Sequence, residues 1–180
     1  MTLRIAQHDL VERCRRGDRN AQFALYHQYS TAMYNICLRM LYDRMEAEDA
    51  LQNAFVDVFT KIDSFRGDST IGAWIKRIVI NTCINQIKKK KLLTSEWDEK
   101  YAEVPEEQES PEDYADLELV KSAIGQLPEG YRAVFTLYAM EGYDHKEIGQ
   151  ILGVTEATSK SQYARAKQKI REMVTESKNR

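Results

Sequence analysis

The 180-residue sequence is poor in the residues that build tight turns, with only 8 glycines and 3 prolines. A protein made of many short strands needs such residues at each reversal of the chain, so their scarcity disfavours an all-β fold. The strong helix formers Ala, Leu, Glu, Lys, Arg and Gln are frequent instead. The composition therefore predicts an all-α protein.

Cysteine and long apolar runs are also scarce. The three cysteines, Cys14, Cys37 and Cys83, are far apart and form no C-x-x-C pair. This pattern excludes a disulfide framework and a typical zinc site, and predicts buried reduced thiols. No segment approaches the roughly 18 apolar residues of a membrane span, and the first residues contain no apolar core of a secretory signal. We expect a soluble, cytoplasmic protein that is not inserted in a membrane.

Catalytic motifs are missing as well. The three histidines are scattered, and there is no H-E-x-x-H, no glycine-rich phosphate loop and no G-x-S-x-G. The carboxylates Glu46, Glu48 and Asp49 lie close together, but no second helix offers the Glu-x-x-His that a carboxylate metal site needs. The sequence predicts no catalytic residue, no metal and no cofactor, and an enzyme is the least supported class.

The net charge of -2 conceals a segregation of charge along the chain. Residues 94–113 contain nine acidic residues against Lys100 alone, and the remaining 160 residues contain 25 basic and 19 acidic side chains. Such an acidic segment, which also has two prolines and no apolar periodicity, cannot form a packed core. We expect two small helical domains, 1–92 and 115–180, joined by a flexible acidic linker over 93–114.

Apolar residues recur at helical spacing in the first domain. A first helix should bury one face formed by Phe23, Tyr26, Tyr29, Met33, Ile36, Cys37 and Met40. A second helix should bury Ala47, Leu51, Ala54, Val58 and Ile62, with Glu48, Asp49 and Gln52 on its outer side. After turn residues at 64–70, a third helix is predicted over 71–91.

This third helix has an unusual distribution of polar residues. It contains no acidic residue, and its apolar side chains leave one narrow polar stripe. The stripe consists of Arg77, Asn81, Asn85 and Lys88, with Trp74 at its border. Basic groups for phosphate, amides for base edges and a ring for stacking favour a nucleic-acid surface. The alternative is that Trp74 belongs to the core and that the lysines only decorate a helix end.

The second domain contains the pattern of a helix-turn-helix. Asp144 and Glu147 fit a capping box, Gly153 suits a left-handed helix end, and Thr155 can cap the next helix. That next helix, which we expect from Glu156 to Ser177, is rich in basic residues, as recognition helices are. The alternative is a helical hairpin with a solvated basic face.

These motifs together resemble the extracytoplasmic-function (ECF) sigma factors of bacterial RNA polymerase. Residues 46–55 read EAEDALQNAF, which is similar to the D-A-E-D-L-V-Q-E-x-F signature of sigma region 2.2. Residues 65–81 are similar to regions 2.3 and 2.4, and residues 127–171 to region 4. The resemblance implies a non-enzymatic subunit that binds core polymerase, recognises promoter DNA and is commonly held by an anti-sigma factor.

The resemblance also implies roles for individual residues. The residues expected to face the clamp helices of the polymerase β′ subunit are Glu48, Asp49, Gln52 and Phe55. The residues expected to open and read the minus-ten element are Phe65, Arg66, Ser69, Trp74, Lys76, Arg77, Asn81, Asn85 and Lys88. The residues expected at the minus-thirty-five element are Thr155, Thr158, Lys160, Ser161, Gln162, Arg165 and Lys169. Val134, Phe135 and Tyr138 would contact the β flap.

The sequence departs from the family pattern at several positions. Relatives commonly have an acid at Asn53, an Asp at Asn85, an apolar residue at Ser159 and an Arg at Gln162. Ser159 is expected to weaken a packing contact of the recognition helix. Two other classes stay open from the residues alone: an autonomous helix-turn-helix regulator, and a helical interaction protein without a role on DNA.

Overall fold

The computed structural model describes residues 2–94 and 117–178, in which all regular structure is helical. The all-α prediction is thereby confirmed. The chain divides into two compact units, Met1–Lys90 and Lys91–Arg180. The predicted acidic linker lies outside the described residues, apart from its first two, which belong to the end of a helix. No helix within the described ranges is long and apolar enough to cross a bilayer.

The first unit is built from four α-helices and a short 3-10 turn. They are α1 (Thr2–Arg15), α2 (Arg19–Leu41), α3 (Arg44–Thr60), the 3-10 turn Ile62–Ser64 and α4 (Ile71–Thr94). Aspartates are the N-caps of α2 and α3. Asp18 accepts hydrogen bonds from the backbone N–H groups of Asn20 and Ala21, and Asp43 accepts one from Glu46 N at 2.9 Å. The sequence analysis had not identified α1, which buries only Val11 and Cys14 among its described side chains.

The inward face of α2 differs from the predicted one at its N-terminal half. Met33, Ile36, Cys37 and Met40 are buried as expected, but Phe23 is 67% and Tyr26 36% exposed. Ala21 and Leu25 occupy the inward positions instead. At about 100° per residue, Phe23 lies on the side of α2 opposite Ala21, so the predicted stripe merged two faces of the helix.

The inward faces of α3 and α4 agree with the sequence pattern. The buried residues of α3 include Ala47, Leu51, Ala54 and Val58, and Ile62 is buried in the turn that follows. Those of α4 are Ile71, Ile75, Val79, Ile80, Cys83, Ile84 and Ile87. Ile78 is half-buried, and the helix continues to Thr94 rather than ending near residue 91. The core of the first unit therefore forms where these stripes meet α2.

All three cysteines are buried and free, as the sequence predicts. Cys37 of α2 and Cys83 of α4 form a hydrogen bond between their thiols. This hydrogen bond, together with burial, raises the pKa of Cys83. The two buried thiols therefore contribute a contact between α2 and α4.

The second unit contains α5 (Leu117–Gln126), α6 (Glu129–Phe135), α7 (His145–Leu152) and α8 (Glu156–Lys178). Between α6 and α7 the chain forms a π-helical turn, Thr136–Met140, in which Glu141 N donates to the carbonyl of Thr136 at 3.0 Å. The wider turn changes the direction of the side chains that follow Thr136, since each added residue rotates the helix surface by about 100°.

The helix-turn-helix geometry is present as predicted. Asp144 Oδ1 accepts from Glu147 N at 2.7 Å while Glu147 Oε2 accepts from Asp144 N at 2.9 Å, which completes the capping box. Gly153 ends α7 in the left-handed conformation with φ 75°. Thr155 Oγ1 accepts from Thr158 N at 3.0 Å at the start of α8. Local sequence thus determines both ends of the turn between α7 and α8.

Candidate nucleic-acid interface

An exposed polar stripe runs along α4 on the side away from its isoleucine core. Arg77, Asn81, Asn85 and Lys88 are all exposed, and they follow one another at spacings of four, four and three residues. Among the described residues no hydrogen bond or ion pair engages these four side chains. The stripe is therefore available for a ligand that accepts hydrogen bonds and carries negative charge.

The basic C-terminal end of α4 forms an ion pair with the first turn of α3. Lys90 forms an ion pair with Glu46, whose side chain is 25% exposed. Glu46 thereby neutralises one lysine of the run 88–91, while Lys88 and Lys89 stay exposed. Lys76, the remaining basic residue predicted for this surface, is half-buried.

The loop that precedes α4 is held by two contacts. The rings of Phe65 and Trp74 lie 5.5 Å apart and both are half-buried, so Trp74 supports the loop as well as bordering the stripe. The carbonyl of Phe65 accepts a hydrogen bond from the guanidinium of Arg15 in α1. Arg66 and Ser69 are exposed within the loop. Arg15 was missed by the sequence analysis because the contact joins residues 50 positions apart.

An acidic and polar face lies on the outer side of α3. Glu48, Asp49 and Gln52 are exposed, and Arg44 forms an ion pair with Glu48 at 3.3 Å. Phe55, which was predicted to share this face, is only 3% exposed and packs edge-on against Tyr26 at 4.8 Å between ring centroids. The correction follows from helix geometry, because Phe55 comes four residues after Leu51 and so lies on the same buried stripe.

Most of the residues predicted for the second DNA surface lie on the outer side of α8. Thr155, Lys160 and Lys169 are exposed, and Thr158, Ser161, Gln162 and Arg165 are half-buried. At about 100° per residue, Ser161 and Arg165 lie opposite the buried Ser159, and Thr158, Gln162 and Lys169 flank them. Lys160 points to the other flank and pairs with Glu156 at 2.8 Å. The structure therefore gathers the predicted residues Thr158, Ser161, Gln162, Arg165 and Lys169 along one side of α8, and Thr155 caps its first turn.

Ser159 has a different role from the expected one. It is fully buried, and its Oγ lies 2.9 Å from Nδ1 of His145, the first residue of α7. Burial lowers the pKa of His145, and the positive charge of Lys160 lowers it further. A hydrogen bond therefore holds Ser159 at the position where the sequence predicted only a weakened packing contact. Sequence alone could not reveal it, since the partners are 14 positions apart.

An aromatic cluster surrounds His145. Its ring stacks on Tyr138 with 4.3 Å between centroids, and Tyr163 of α8 lies 4.5 Å from Tyr138. Phe135 stacks on Tyr163 at 5.8 Å. Of the three residues expected on the outer apolar side, Tyr138 is 39% exposed and Phe135 is half-buried, but Val134 is fully buried and cannot contribute to a surface. Val134 instead belongs to the buried interior of the second unit.

Comparison with protein families matches both units. The model described as Sigma-70 region 2 matches residues 25–92, and the one described as Sigma-70, region 4 matches residues 117–170. The two units thus correspond to the two conserved regions of one class of transcription factor, the sigma-70 type.

Relatives define the group within that class. The ECF RNA polymerase sigma factor SigW of Bacillus subtilis is 30% identical over 91% of this chain and 94% of its own length. The RNA polymerase sigma-H factor of Pseudomonas aeruginosa is 31% identical over 89% and 90%, respectively. The ECF RNA polymerase sigma-E factor of Escherichia coli is 30% identical over 94% and 95%. The chain belongs to the ECF group of the sigma-70 family.

Solved structures show the same fold. The sigma factor RpoE of Bartonella quintana, solved with the anti-sigma factor NepR, has a TM-score of 0.56 at 23% identity and covers 81% of this chain and 91% of its own. CnrH, solved with the cytosolic domain of CnrY, has a TM-score of 0.55 at 21% identity and covers 94% and 97%.

Proposed function

We propose that this protein binds core RNA polymerase and directs it to promoters through two DNA-contacting surfaces. The observation that carries the proposal is the presence of a polar and basic helix face in each of two units: the exposed α4 stripe in the first and the partly exposed outer side of α8 in the second. We assign residues 1–92 to the first functional domain and residues 115–180 to the second. The role of the protein is recognition, and none of the residues involved needs to make or break a covalent bond.

The α4 stripe suits a strand of opened DNA. Arg77 and Lys88 supply charge for the phosphate backbone, and the amides of Asn81 and Asn85 can read base edges. The Phe65–Trp74 ring pair, together with exposed Arg66 and Ser69 in the same loop, offers a surface on which an unstacked base can rest. We therefore assign Phe65, Arg66, Ser69, Trp74, Lys76, Arg77, Asn81, Asn85 and Lys88 to the minus-ten element.

The outer side of α8 suits the major groove of a duplex. Its first turns present short polar groups, Thr155, Thr158, Ser161 and Gln162, and Arg165 and Lys169 follow at phosphate-contacting positions. We assign these residues to the minus-thirty-five element. Lys160 lies on another flank of α8 and forms an ion pair with Glu156. We assign it either a contact to the phosphate backbone from the side or a role in stabilising the first turn of α8.

The acidic face of α3 is the proposed docking site on polymerase. Glu48, Asp49 and Gln52 would face the β′ clamp helices, and Phe55 would support them from the core rather than touch the partner. Tyr138 and Phe135 would contact the β flap. The crystallised neighbour bound to an anti-sigma factor supports a partner of this kind here as well. We infer that the protein acts in the cytoplasm, where polymerase and chromosome meet.

Run-off transcription with purified core polymerase tests the proposal. We expect the chain to produce transcripts with a defined start from its promoters, and Asp49→Lys to abolish them by reversing a charge on the docking face. Asp63→Lys is the matched control, because Asp63 is equally exposed but lies in the 3-10 turn away from that face. Absence of any start-specific transcript would refute the proposal.

The autonomous regulator makes a different prediction. It requires tight binding of the chain alone to a palindromic duplex, with half-sites about one helical turn apart. Such binding, together with transcription that does not depend on the chain being part of polymerase, would favour the regulator over the sigma factor. A gel shift with and without core enzyme distinguishes the two.

A further inference from the structure

The recognition helix α8 has little apolar anchoring in the turns that would face DNA. Its buried residues are Ser159, Ala166 and Ile170, and Tyr163 is half-buried between them. In the first two turns the inward contacts therefore come from one small hydroxyl and one tyrosine ring. A serine side chain contributes little hydrophobic stabilisation, so the position of these turns depends on what Ser159 hydrogen-bonds.

His145 is well placed to determine that position. It is the first residue of α7, directly after the capping box of Asp144 and Glu147, so its backbone is fixed. Its ring is fixed as well, because it stacks on Tyr138 at an interplanar angle of 11°. From this position Nδ1 lies 2.9 Å from Ser159 Oγ. The imidazole thus connects the π-helical turn, α7 and α8.

We propose that His145 is a positioning residue for the minus-thirty-five contacts, which it orients through its hydrogen bond to Ser159. The inference rests on the proposed function of α8 and deepens it. Thr158 and Ser161 are within two residues of Ser159 along the helix, and Gln162 follows within one turn. A small rotation or displacement of α8 at Ser159 therefore moves these DNA-facing groups directly. His145 itself does not need to touch DNA.

The neutral imidazole is the form that fits this environment. The ionisable groups around it are Lys160 and Glu156 of α8 and Asp144, the N-cap of α7. The ring of Tyr138 stacks on one face of the imidazole, and the ring of Tyr163 lies 5.7 Å away at an angle of 57°. Burial and Lys160 oppose a positive charge, and they outweigh the two carboxylates, so the pKa of His145 lies below its usual value. Neutral Nδ1 can accept a hydrogen bond from the Ser159 hydroxyl, whereas the protonated ring can only donate one, so protonation reverses the direction of this hydrogen bond and turns the hydroxyl.

Acid should therefore weaken minus-thirty-five recognition. Because the pKa of His145 is lower in the folded protein than in the unfolded chain, the stabilisation is fully present above the unfolded pKa. It is lost as the pH falls through the folded pKa. Protonation adds a positive charge near DNA, which favours duplexes of any sequence. The informative quantity is therefore selectivity for the promoter sequence rather than affinity.

The test measures the binding of reconstituted holoenzyme to two duplexes, one with the minus-thirty-five element found by run-off transcription and one with that element scrambled. The ratio of the two affinities is determined from about pH 7.5 downwards to well below the ordinary histidine pKa, because the change follows the lowered pKa of the folded protein. We expect the wild-type ratio to fall about tenfold across this range, because protonation reverses the hydrogen bond to Ser159 and places a positive charge beside Lys160. Ser159→Ala should show a similarly reduced ratio already at the higher pH.

His145→Asn separates the hydrogen bond from the titration. Its amide oxygen can stand where Nδ1 stands but does not titrate in this range, so the variant should keep most of its selectivity and lose the dependence on pH. His27→Asn is the matched control, since His27 is exposed on α2, and it should retain the wild-type profile. Ser159→Val, which fills the site with an apolar side chain, should also lose the pH dependence and controls for folding.

The outcomes separate this inference from the proposed function. If wild-type holoenzyme shows no selectivity for the element even at the higher pH, the assignment of α8 to it is wrong. If selectivity is present but unchanged in Ser159→Ala, or if His145→Asn keeps the wild-type pH profile, His145 has no positioning role and only this inference is overturned.

Discussion

The two helices that carry the proposed DNA surfaces are held in opposite ways. One side of α4 packs into a dense apolar core. Its residues Ile75, Val79 and Cys83 are completely inaccessible to solvent, and its other buried residues are at most 5% exposed. α8 has only Ser159, Ala166 and Ile170 as buried residues over its whole length. The position of α4 is therefore fixed by many contacts, whereas the first turns of α8 depend on few.

This difference teaches where mutations should act. On α4, a change in the exposed stripe removes a contact without moving the helix, because the core holds the backbone in place. On α8, a change on the inner side can move the DNA-facing groups without touching any of them. Loss of recognition should therefore be traced to outer residues in the first unit and to inner residues in the second.

The largest effect should come from opening a cavity in the α4 core. Ile75→Ala removes a fully buried side chain and is expected to destabilise the first unit by about 2–5 kcal/mol. Urea unfolding followed by circular dichroism measures it, and Asn85→Ala on the exposed stripe is the control, with an expected change within about 0.5 kcal/mol. A cost for Ile75→Ala as small as that of the control would break the comparison.

A smaller, functional effect is expected for the outer stripe of α4. Arg77→Ala should reduce promoter opening about tenfold by removing a charged hydrogen-bond donor, while the binding of closed duplex changes less. Permanganate footprinting reports opening and a gel shift reports binding. Lys89→Ala is the charge-matched control, because Lys89 is exposed but lies off the stripe. Equal losses in both assays would contradict a role in reading the opened strand.

The smallest effect concerns the start of the helix-turn-helix. Asp144→Ala removes the acceptor for Glu147 N and should destabilise the second unit by about 1 kcal/mol. Glu147→Gln keeps an acceptor for Asp144 N and should change stability much less. Urea unfolding of the two variants, carried out in parallel, measures the difference in their free energy of unfolding. If Asp144→Ala has no cost, α7 does not rely on its cap, and the cap does not fix the backbone of His145, which forms the hydrogen bond to Ser159 of α8.

Much of this architecture follows from local sequence. Apolar spacing predicts the buried faces of α3 and α4, and short-range capping chemistry predicts the bounds of α7 and the start of α8, since both depend on residues within a few positions of each other. The same spacing predicts Phe55 on the buried side of α3, whereas the resemblance to the family signature predicted it on the surface. The helical spacing gives the position that the structure shows.

The contacts that sequence could not predict join distant parts of the chain. Helix α1 does have apolar residues at helical spacing, among them Leu10, Val11 and Cys14, and was therefore predictable from local sequence. By contrast, the π-helical turn has no sequence pattern of its own, and the exposure of Phe23 depends on which helices cover α2. The bonds from Arg15 to Phe65 and from His145 to Ser159 require the tertiary fold to form first. Arg15 contacts Phe65, which is predicted to bind DNA, and His145 contacts Ser159, which lies between two such residues in the sequence. Neither Arg15 nor His145 is itself predicted to bind DNA.

The bond from Arg15 to Phe65 has a practical consequence for dissecting the protein. The stretch that matches region 2 begins at residue 25, ten positions after Arg15. A fragment that begins at this boundary would retain every side chain assigned to the opened strand. It would lack Arg15, however, whose guanidinium holds their loop through the carbonyl of Phe65. The smallest piece recognisable by similarity is thus smaller than the smallest piece that can be expected to work.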